Sequence, residues 1–327
     1  MLRIMKRLCA LGLVAVSAWG QAAVAAEKIT YLFPAPEFLP AFAPYQLAKA
    51  RGYYADAGLD VVFQVGKGGA DVAKQVGVGN ADLGGGAIDT AMVVRTNGVP
   101  IKAVGVLGTG THYQLIFRKS ANITGPADLK GKTIGVIGFQ DSGYYNLQGV
   151  LSTVGLKRED ATIQAVGIAG ITQLMVSGDL DAVVATPEFG IMIEGAGVPV
   201  DMMPITQYFP GLAQIILASE KAIAERPELI GKFVNATVKA VEDIVNDPKA
   251  MSVEFARIVP QYSDKQPLVQ EIMESYKKLV YQGGAGGKIG PVDGQRVQTL
   301  ADFYVKAGIL PADYKVADAY TNALLAQ

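Results

Sequence analysis

The feature that most constrains the fold is an alternation of short apolar segments with helix-like segments between residues 29 and 203. Several apolar segments contain almost no polar side chain, which is typical of strands buried on both faces of a sheet. The alternation predicts an α/β fold with a mainly parallel sheet and helices on its faces. The predicted strands are 29–33, 59–65, 101–107, 133–137, 162–166, 182–185 and 200–203, and the predicted helices are 42–50, 71–77, 90–96, 145–154, 171–177 and 189–196.

Beyond Ser219 the pattern becomes helical. Residues 227–247 carry apolar side chains at steps of three and four, with Pro227 suited to a first helical turn and Pro248 just after the end. Further helices are predicted at 247–259, 267–280, 293–307 and 317–325, and 283–290 is a glycine-rich connector.

The N-terminus has the three-part pattern of a secretory signal peptide. Three basic residues precede an uncharged run over 8–26, which ends in the small-residue sequence Ala23-Val24-Ala25. This pattern predicts a signal peptide over residues 1–25, cleaved after Ala25 or Ala26. A membrane anchor is the alternative, but the apolar part, 8–19, is shorter than a membrane span requires.

Composition excludes several classes of function. The whole chain has 29 basic and 30 acidic residues, which gives no electrostatic footprint for nucleic acid. Cys9 and Trp19 would leave with the signal peptide, so the mature chain would have no thiol for catalysis, disulfides or a zinc site. His112 is the single histidine, too few for a multi-histidine metal centre. We therefore expect no metal and no cofactor, and His112 is either a structural residue or a ligand contact.

Five corners between strands and helices are rich in Gly, Pro, Ser, Thr or aromatic residues. The carboxyl ends of parallel strands form ligand crevices, glycine lets the backbone approach a ligand, and helix N-termini offer free N–H groups. Any one corner could be a simple turn, but five together favour a binding cleft. The corners are 34–38, 66–70, 84–90, 138–144 and 186–188.

Several motifs then resemble a known family in their order and spacing. They are the Leu-Ala-Lys-Ala-Arg-Gly-Tyr-Tyr stretch at 47–54, 58–61, Asn-Ala-Asp-Leu-Gly at 80–84, 127–135, 178–182, and Arg226-Pro227, Phe233 and Asp247-Pro248 in the tail. The chain resembles the periplasmic solute-binding proteins of ABC importers, in the branch that serves sulfonates, nitrate, taurine and thiamine-pyrimidine precursors.

The resemblance implies the type II periplasmic binding protein fold, with two Rossmann-like α/β lobes joined by two crossing strands. Lobe one would be 28–112 plus 213–327, lobe two would be 113–212, and the crossings would fall near 113–118 and 214–218. The helical C-terminal tail would pack on lobe one. Such a protein is a periplasmic, non-enzymatic monomer that closes on a small solute by hinge motion and delivers it to an inner-membrane permease with a cytoplasmic ATPase.

The resemblance also implies where the solute is contacted. Residues carried over by position come from the first four corners, and the lone histidine and the fifth corner complete the candidate set. The candidate ligand-binding residues are Pro36, Phe38, Gly69, Ala70, Ala87, Ile88, His112, Ser142, Gly143, Tyr144, Thr186 and Glu188.

The class of solute stays open at this point. The stretch 181–187 lacks the tryptophan frequent in the sulfonate branch, and the absence of cysteine after Cys9 counts against a thiamine-precursor enzyme. The corners hold four acidic residues, whereas basic side chains occur only in 66–70. A sulfonate, a nitrate- or taurine-like oxyanion held by helix N-termini, an aromatic acid and a pyrimidine-like compound are the candidates. The alternative functions are an enzyme on the same fold, a pyrimidine synthase or lyase, and a ligand-sensing partner of a signalling receptor.

Overall fold

A computed structural model describes residues 26–108, 110–139, 141–281 and 287–325. The predicted signal peptide, residues 1–25, lies outside the described residues, as does the first half of the glycine-rich connector, 283–286. Within the described part of the chain, no helix has both the length and the apolar character needed to cross a membrane.

The described residues form two five-stranded sheets. The strands are β1 (Glu27–Phe33), β2 (Leu59–Val65), β3 (Leu83–Gly86), β4 (Ile101–Gly108), β5 (Gln114–Arg118), β6 (Thr133–Val136), β7 (Thr162–Ala165), β8 (Ala182–Ala185), β9 (Val200–Pro204) and β10 (Ala213–Ser219). The first sheet has the order β2-β1-β3-β10-β4 and the second has the order β7-β6-β8-β5-β9. We call each sheet, with the helices that cover it, the first lobe and the second lobe. The seven predicted strands are confirmed to within two residues at each end.

Helices lie between the strands and after them. They are α1 (Ala43–Ala50), α2 (Tyr53–Asp56), α3 (Gly69–Gly77), α4 (Ile88–Thr96), α5 (Ser142–Thr153), α6 (Gly167–Ser177), α7 (Pro187–Gly195), α8 (Glu220–Glu225), α9 (Pro227–Asn246), α10 (Pro248–Ile258), α11 (Gln266–Leu279) and α12 (Gly294–Lys306). α5, α6 and α7 belong to the second lobe, and the others belong to the first lobe or to the tail.

Each sheet is mixed, which corrects the expectation of a mainly parallel sheet in one detail. β10 runs antiparallel to β3 and β4, and β5 runs antiparallel to β8 and β9, whereas β1, β2 and β3 are parallel to one another. β5 and β10 occupy the segments predicted to cross between the lobes. The residue boundaries predicted for the lobes, at 112/113 and 212/213, stay predictions.

The predicted helix over 317–325 is wrong. The structure has a single 3₁₀ turn at Val316–Asp318, after which the chain runs along the edge strand β4. The backbone N–H of Ala103 donates to Ala319 O, and the N–H of Thr321 donates to Ala103 O. Strand pairing therefore satisfies the backbone here, and a helix would have to break it.

The C-terminal tail packs on the first lobe and also reaches the second. The Phe233 ring of α9 lies against Tyr31 of β1 and Tyr54 of α2, with ring centroids 5.3 and 4.9 Å apart, and anchors the tail on the first sheet. α11 contacts α7 of the second lobe. Phe303 and Tyr304 of α12 contact the Phe209 ring, which follows β9. The tail thus spans the line along which the two lobes meet.

Candidate functional site

A cavity of about 440 Å³ lies between the two lobes, where the predicted corners converge. The corners after β1, β2 and β3 contribute from the first lobe, and those after β6 and β8 contribute from the second. Eight of the predicted ligand residues line this cavity: Pro36, Gly69, Ala70, Ala87, His112, Ser142, Thr186 and Glu188.

Four predicted residues do not line it. The Ile88 side chain is fully buried in the core of the first lobe, and the Gly143 N–H donates to the Asp141 carboxylate. The Tyr144 ring packs edge-on against Phe139, with centroids 5.2 Å apart, and Phe38 is 36% exposed. Whether these four contact a solute stays a prediction.

The candidate ligand residues included none of the tyrosine and phenylalanine side chains that line the cavity. These come from β1, the turn before α1, α1 itself, the residue before β5 and the start of α7: Tyr31, Phe42, Tyr45, Tyr113 and Phe189. Tyr31 and Tyr45 also belong to the core of the first lobe, with rings 4.5 Å apart. Their strand and helix positions made a core role the simpler prediction, and only the tertiary structure shows that the core reaches the cavity here.

Six helices have their first turn or cap residue in the cavity wall, and four of them, α3, α4, α5 and α7, carry a carboxylate at their start, whereas α1 and α6 do not. A helix N-terminus bears a partial positive charge, which an acidic residue in the first turn or at the cap neutralises. These residues are Asp71 in α3, Asp89 in α4, Asp141 at the cap of α5 and Glu188 in α7. Among the described residues that line the cavity, Lys67 is the one lysine or arginine, and its side chain is exposed.

Asp89 is the centre of a buried hydrogen-bond network that joins both lobes and the tail. Its Oδ1 accepts from the Thr90 N–H at 2.6 Å and from Ser142 Oγ at 2.9 Å. Its Oδ2 accepts from Asn146 Nδ2 at 3.0 Å and from Tyr304 Oη at 3.1 Å. Burial raises the pKa of Asp89 to about 6, against the opposing effect of these hydrogen bonds. The network is therefore a polar contact between the lobes that contains no cation.

Glu188 makes a second polar contact between the second lobe and the tail. Its Oε2 accepts a hydrogen bond from Tyr276 Oη of α11 at 3.0 Å, and the residue is only 3% exposed. Burial raises the pKa of the Glu188 carboxyl. No ion pair of Glu188 occurs within the described residues.

Asp141 holds the corner that precedes α5. Its side chain accepts from the Gly143 N–H at 2.9 Å, and Tyr113 Oη donates to its two oxygens at 2.9 Å each. Tyr113 comes directly before β5, so this contact fixes the start of α5 against the predicted crossing. Burial raises the pKa of Asp141.

Gln214 and His112 line the cavity, and each has a buried polar atom without a hydrogen-bond partner among the described residues. Gln214 Nε2 donates to Ala41 O, while Oε1 makes no hydrogen bond of normal geometry. His112 Nδ1 is buried without a partner, and burial lowers the pKa of His112 to about 4, so the ring is neutral at pH 7. Within the described ranges, no three or more His, Cys, Asp or Glu side chains are grouped as a metal ion would require.

Similarity to known proteins identifies the family of this chain. A family model described as "NMT1/THI5 like" matches residues 39–251. The chain belongs to the NMT1/THI5-like family. One relative of this family member is the riboflavin-binding protein RibY of Chloroflexus aurantiacus, 29% identical over 292 residues that cover 86% of this chain and 81% of RibY. Another is the 4-amino-5-hydroxymethyl-2-methylpyrimidine phosphate synthase THI13 of Saccharomyces cerevisiae, 24% identical and covering 73% of each chain.

Solved structures support the same fold for this family member. The aliphatic sulphonate binding protein SsuA of Escherichia coli superposes with a TM-score of 0.72 at 16% identity, covering 91% of this chain and 98% of SsuA. The nitrate-binding protein NrtA of Synechocystis superposes with a TM-score of 0.66 at 15% identity, covering 91% and 87%. The predicted type II periplasmic binding protein fold is confirmed.

Proposed function

We propose that the chain is a non-catalytic solute-binding protein that captures an uncharged heteroaromatic solute of the flavin class between its lobes. The carboxylates at four of the six helix starts around the cavity carry this proposal. A helix N-terminus would otherwise stabilise an oxyanion, but at α3, α4, α5 and α7 its partial charge is already matched by the protein's own carboxylate. A sulfonate or nitrate in the cavity would meet the side chains of Asp141 and Glu188, with Lys67 as the one lysine or arginine among the described lining residues.

The volume and the aromatic lining of the cavity support a planar, drug-sized solute. A volume of about 440 Å³ lies within the range typical of small-molecule sites. Tyrosine and phenylalanine rings line it, and such rings favour offset or edge contacts with planar heterocycles. The relative RibY, whose alignment covers 86% of this chain, is named a riboflavin-binding protein. This similarity supports a flavin as the solute.

The fold and the N-terminal sequence support a proposal for the protein's place in the cell. We propose an exported, periplasmic, monomeric protein that passes its solute to a membrane permease driven by a cytoplasmic ATPase. The basic and apolar N-terminal residues and the fold shared with importer binding proteins support this. A receptor that signals the presence of the solute would use the same closed form, and the neighbouring genes would distinguish the two.

A binding experiment tests the proposal directly. The protein without residues 1–25 would be titrated with riboflavin, with 4-amino-5-hydroxymethyl-2-methylpyrimidine, with an alkanesulfonate and with nitrate, and thermal unfolding would be recorded for each. A bound solute at about 100 Kd stabilises the folded state by about 2.7 kcal/mol. Trp19 is the one tryptophan, so flavin fluorescence supplies the second readout. Stabilisation by the two anions without stabilisation by either heterocycle would overturn the proposal.

An enzyme is the second candidate, because several pyrimidine synthases are relatives at 23–28% identity over roughly 70% of the chain. The chain has no cysteine after Cys9, and His112 is its one histidine. We therefore expect each solute to be recovered unchanged, by chromatography, after incubation with the protein. Consumption of a heterocycle that is lost in His112→Ala would favour the enzyme instead.

A further inference from the structure

Gln214 occupies a strained position at the start of β10, one of the predicted crossings. Its φ is 54°, in the left-handed region that non-glycine residues seldom adopt. Asn122 is the other non-glycine residue with positive φ in the described ranges, and it closes a 3₁₀ turn. Strain of this kind persists where the surroundings fix it, and it is concentrated at binding and catalytic sites. Gln214 also lines the cavity and is only 6% exposed.

The amide of Gln214 has a defined orientation. The Gln214 side chain contacts Ala41 O, to which Nε2 donates, and the hydroxyl of Tyr281, while Oε1 has no hydrogen-bond partner among the described residues. A buried acceptor without a donor costs free energy, and native proteins supply a donor from the chain, from water or from a ligand. Because Gln214 lines the cavity, a solute between the lobes can supply that donor.

Two neighbouring hydroxyl groups of the cavity wall are already engaged in hydrogen bonds within the protein. Ser142 Oγ is within hydrogen-bond distance of both Asp89 and Thr90, and Tyr113 Oη donates to Asp141. Glu188 is a carboxylate, which accepts and does not donate when ionised. A solute that carries only hydrogen-bond acceptors would leave Gln214 Oε1 without a partner, whereas a solute with a donor group would supply that partner.

We infer that Gln214 is a specificity-determining residue whose Oε1 accepts a hydrogen bond from an N–H or O–H group of the solute. The site then selects heterocycles that carry such a donor and rejects analogues in which the donor is blocked or absent. This inference rests on the proposed function, since it names the hydrogen-bond donor that a solute bound in the same cavity would present to Gln214. In a flavin the donor is either the ring imide N–H or a hydroxyl of the ribityl chain.

Three flavins separate these two sources in the unmodified chain. Riboflavin carries both donors, 3-methylriboflavin lacks the imide N–H, and lumiflavin lacks the ribityl hydroxyls. We expect the protein to bind riboflavin at least about tenfold more tightly than one of the two analogues, measured by quenching of flavin fluorescence. Equal dissociation constants for the three flavins would overturn the inference and leave the proposed function standing. Binding of none of them would overturn both.

A pair of variants assigns the selectivity to Gln214. Gln214→Met keeps the length of the side chain and removes the acceptor. The ratio of the dissociation constant of the disfavoured analogue to that of riboflavin should therefore fall to near one. The matched control is Gln114→Met, because Gln114 starts the other predicted crossing, is also fully buried with unpartnered amide atoms, and does not line the cavity. Gln114→Met should keep the ratio of dissociation constants found for the unmodified protein. An unchanged ratio in folded Gln214→Met, or a ratio lost equally in both variants, would overturn the inference. If Gln214→Met does not fold, the three-flavin comparison decides.

Discussion

At the scale of single residues, Asp89 shows how a buried charge can serve two lobes at once. Its carboxylate has no cationic partner among the described residues and instead collects hydrogen bonds from α4, α5 and α12. Hydrogen bonds to a charged group stabilise more than neutral ones, but they only partly offset the cost of burying the charge. The result is a carboxyl whose pKa is raised in the folded state.

This raised pKa predicts the direction in which stability changes with pH. The pKa of Asp89 is about 6 in the folded protein and near 4 in an unfolded chain. Between these values the folded state binds more protons, so the stabilisation is complete below pH 4 and is lost as pH rises through 6. The difference corresponds to roughly 3 kcal/mol at most.

Asp89→Asn removes this titration. We expect the free energy of unfolding of the unmodified protein, measured by urea denaturation, to fall between pH 4 and pH 7 more steeply than that of Asp89→Asn. Glu188 and Asp141 titrate in the same direction in both proteins, because burial raises the pKa of each, so the comparison isolates Asp89. Parallel curves for the two proteins would contradict the assignment.

At the scale of single elements, the packing of an aromatic ring against α5 explains why this helix contains a glycine. A Cβ on Gly149 would lie 2.6 to 2.8 Å from atoms of the Phe209 ring, which is held between α5 and α12. The glycine therefore allows the ring to approach the helix backbone, and the approach links the second lobe to the tail.

Gly149→Ala tests this close approach. Alanine favours a helix over glycine by about 1 kcal/mol, but overpacking against a rigid ring costs about 1–3 kcal/mol, so we expect a net loss of stability. Gly195 in α7 is the matched control, since nothing lies within 4 Å of its added Cβ. Gly195→Ala should leave the melting temperature unchanged or raise it slightly. A Gly149→Ala protein as stable as the parent would show that Phe209 moves freely.

On the scale of the whole molecule, the described conformation has the lobes in contact through polar groups as well as apolar ones. Ser142 and Asn146 of the second lobe bond to Asp89 of the first, and Tyr276 of the tail bonds to Glu188 of the second. A solute would add its own contacts to these, and the balance between open and closed forms depends on both sets.

Ser142→Ala should shift that balance towards the open form. Removing a hydrogen bond to a buried carboxylate costs about 1.5 kcal/mol or more, which corresponds to about a tenfold change in the ratio of closed to open. We expect a larger radius of gyration in solution scattering without solute, and weaker binding. Ser152→Ala is the control, because Ser152 Oγ donates to Gly149 O within α5 itself. Identical scattering from Ser142→Ala and the parent would contradict the role of this contact.

The alternation of strands and helices could be predicted from the amino-acid sequence, because hydrophobic periodicity is local. The sequence also located the corners, because a switch from strand to helix needs Gly, Pro, Ser or Thr at fixed points, and eight of the twelve predicted site residues do line the cavity. The helix predicted at 317–325 failed because pairing with β4, a contact between distant residues, overrode local propensity.

The chemistry of the cavity depends on how the lobes and the tail pack together. The acidic residues at the corners are visible in the sequence, but the partners of Asp89 and the unpartnered Oε1 of Gln214 depend on side chains far apart in the chain. Burial, which sets their pKa values and hydrogen-bonding needs, exists only once the two lobes and the tail are packed together. The sequence could therefore predict that a solute binds between lobes, while its charge and donor pattern had to be inferred from the packed cavity.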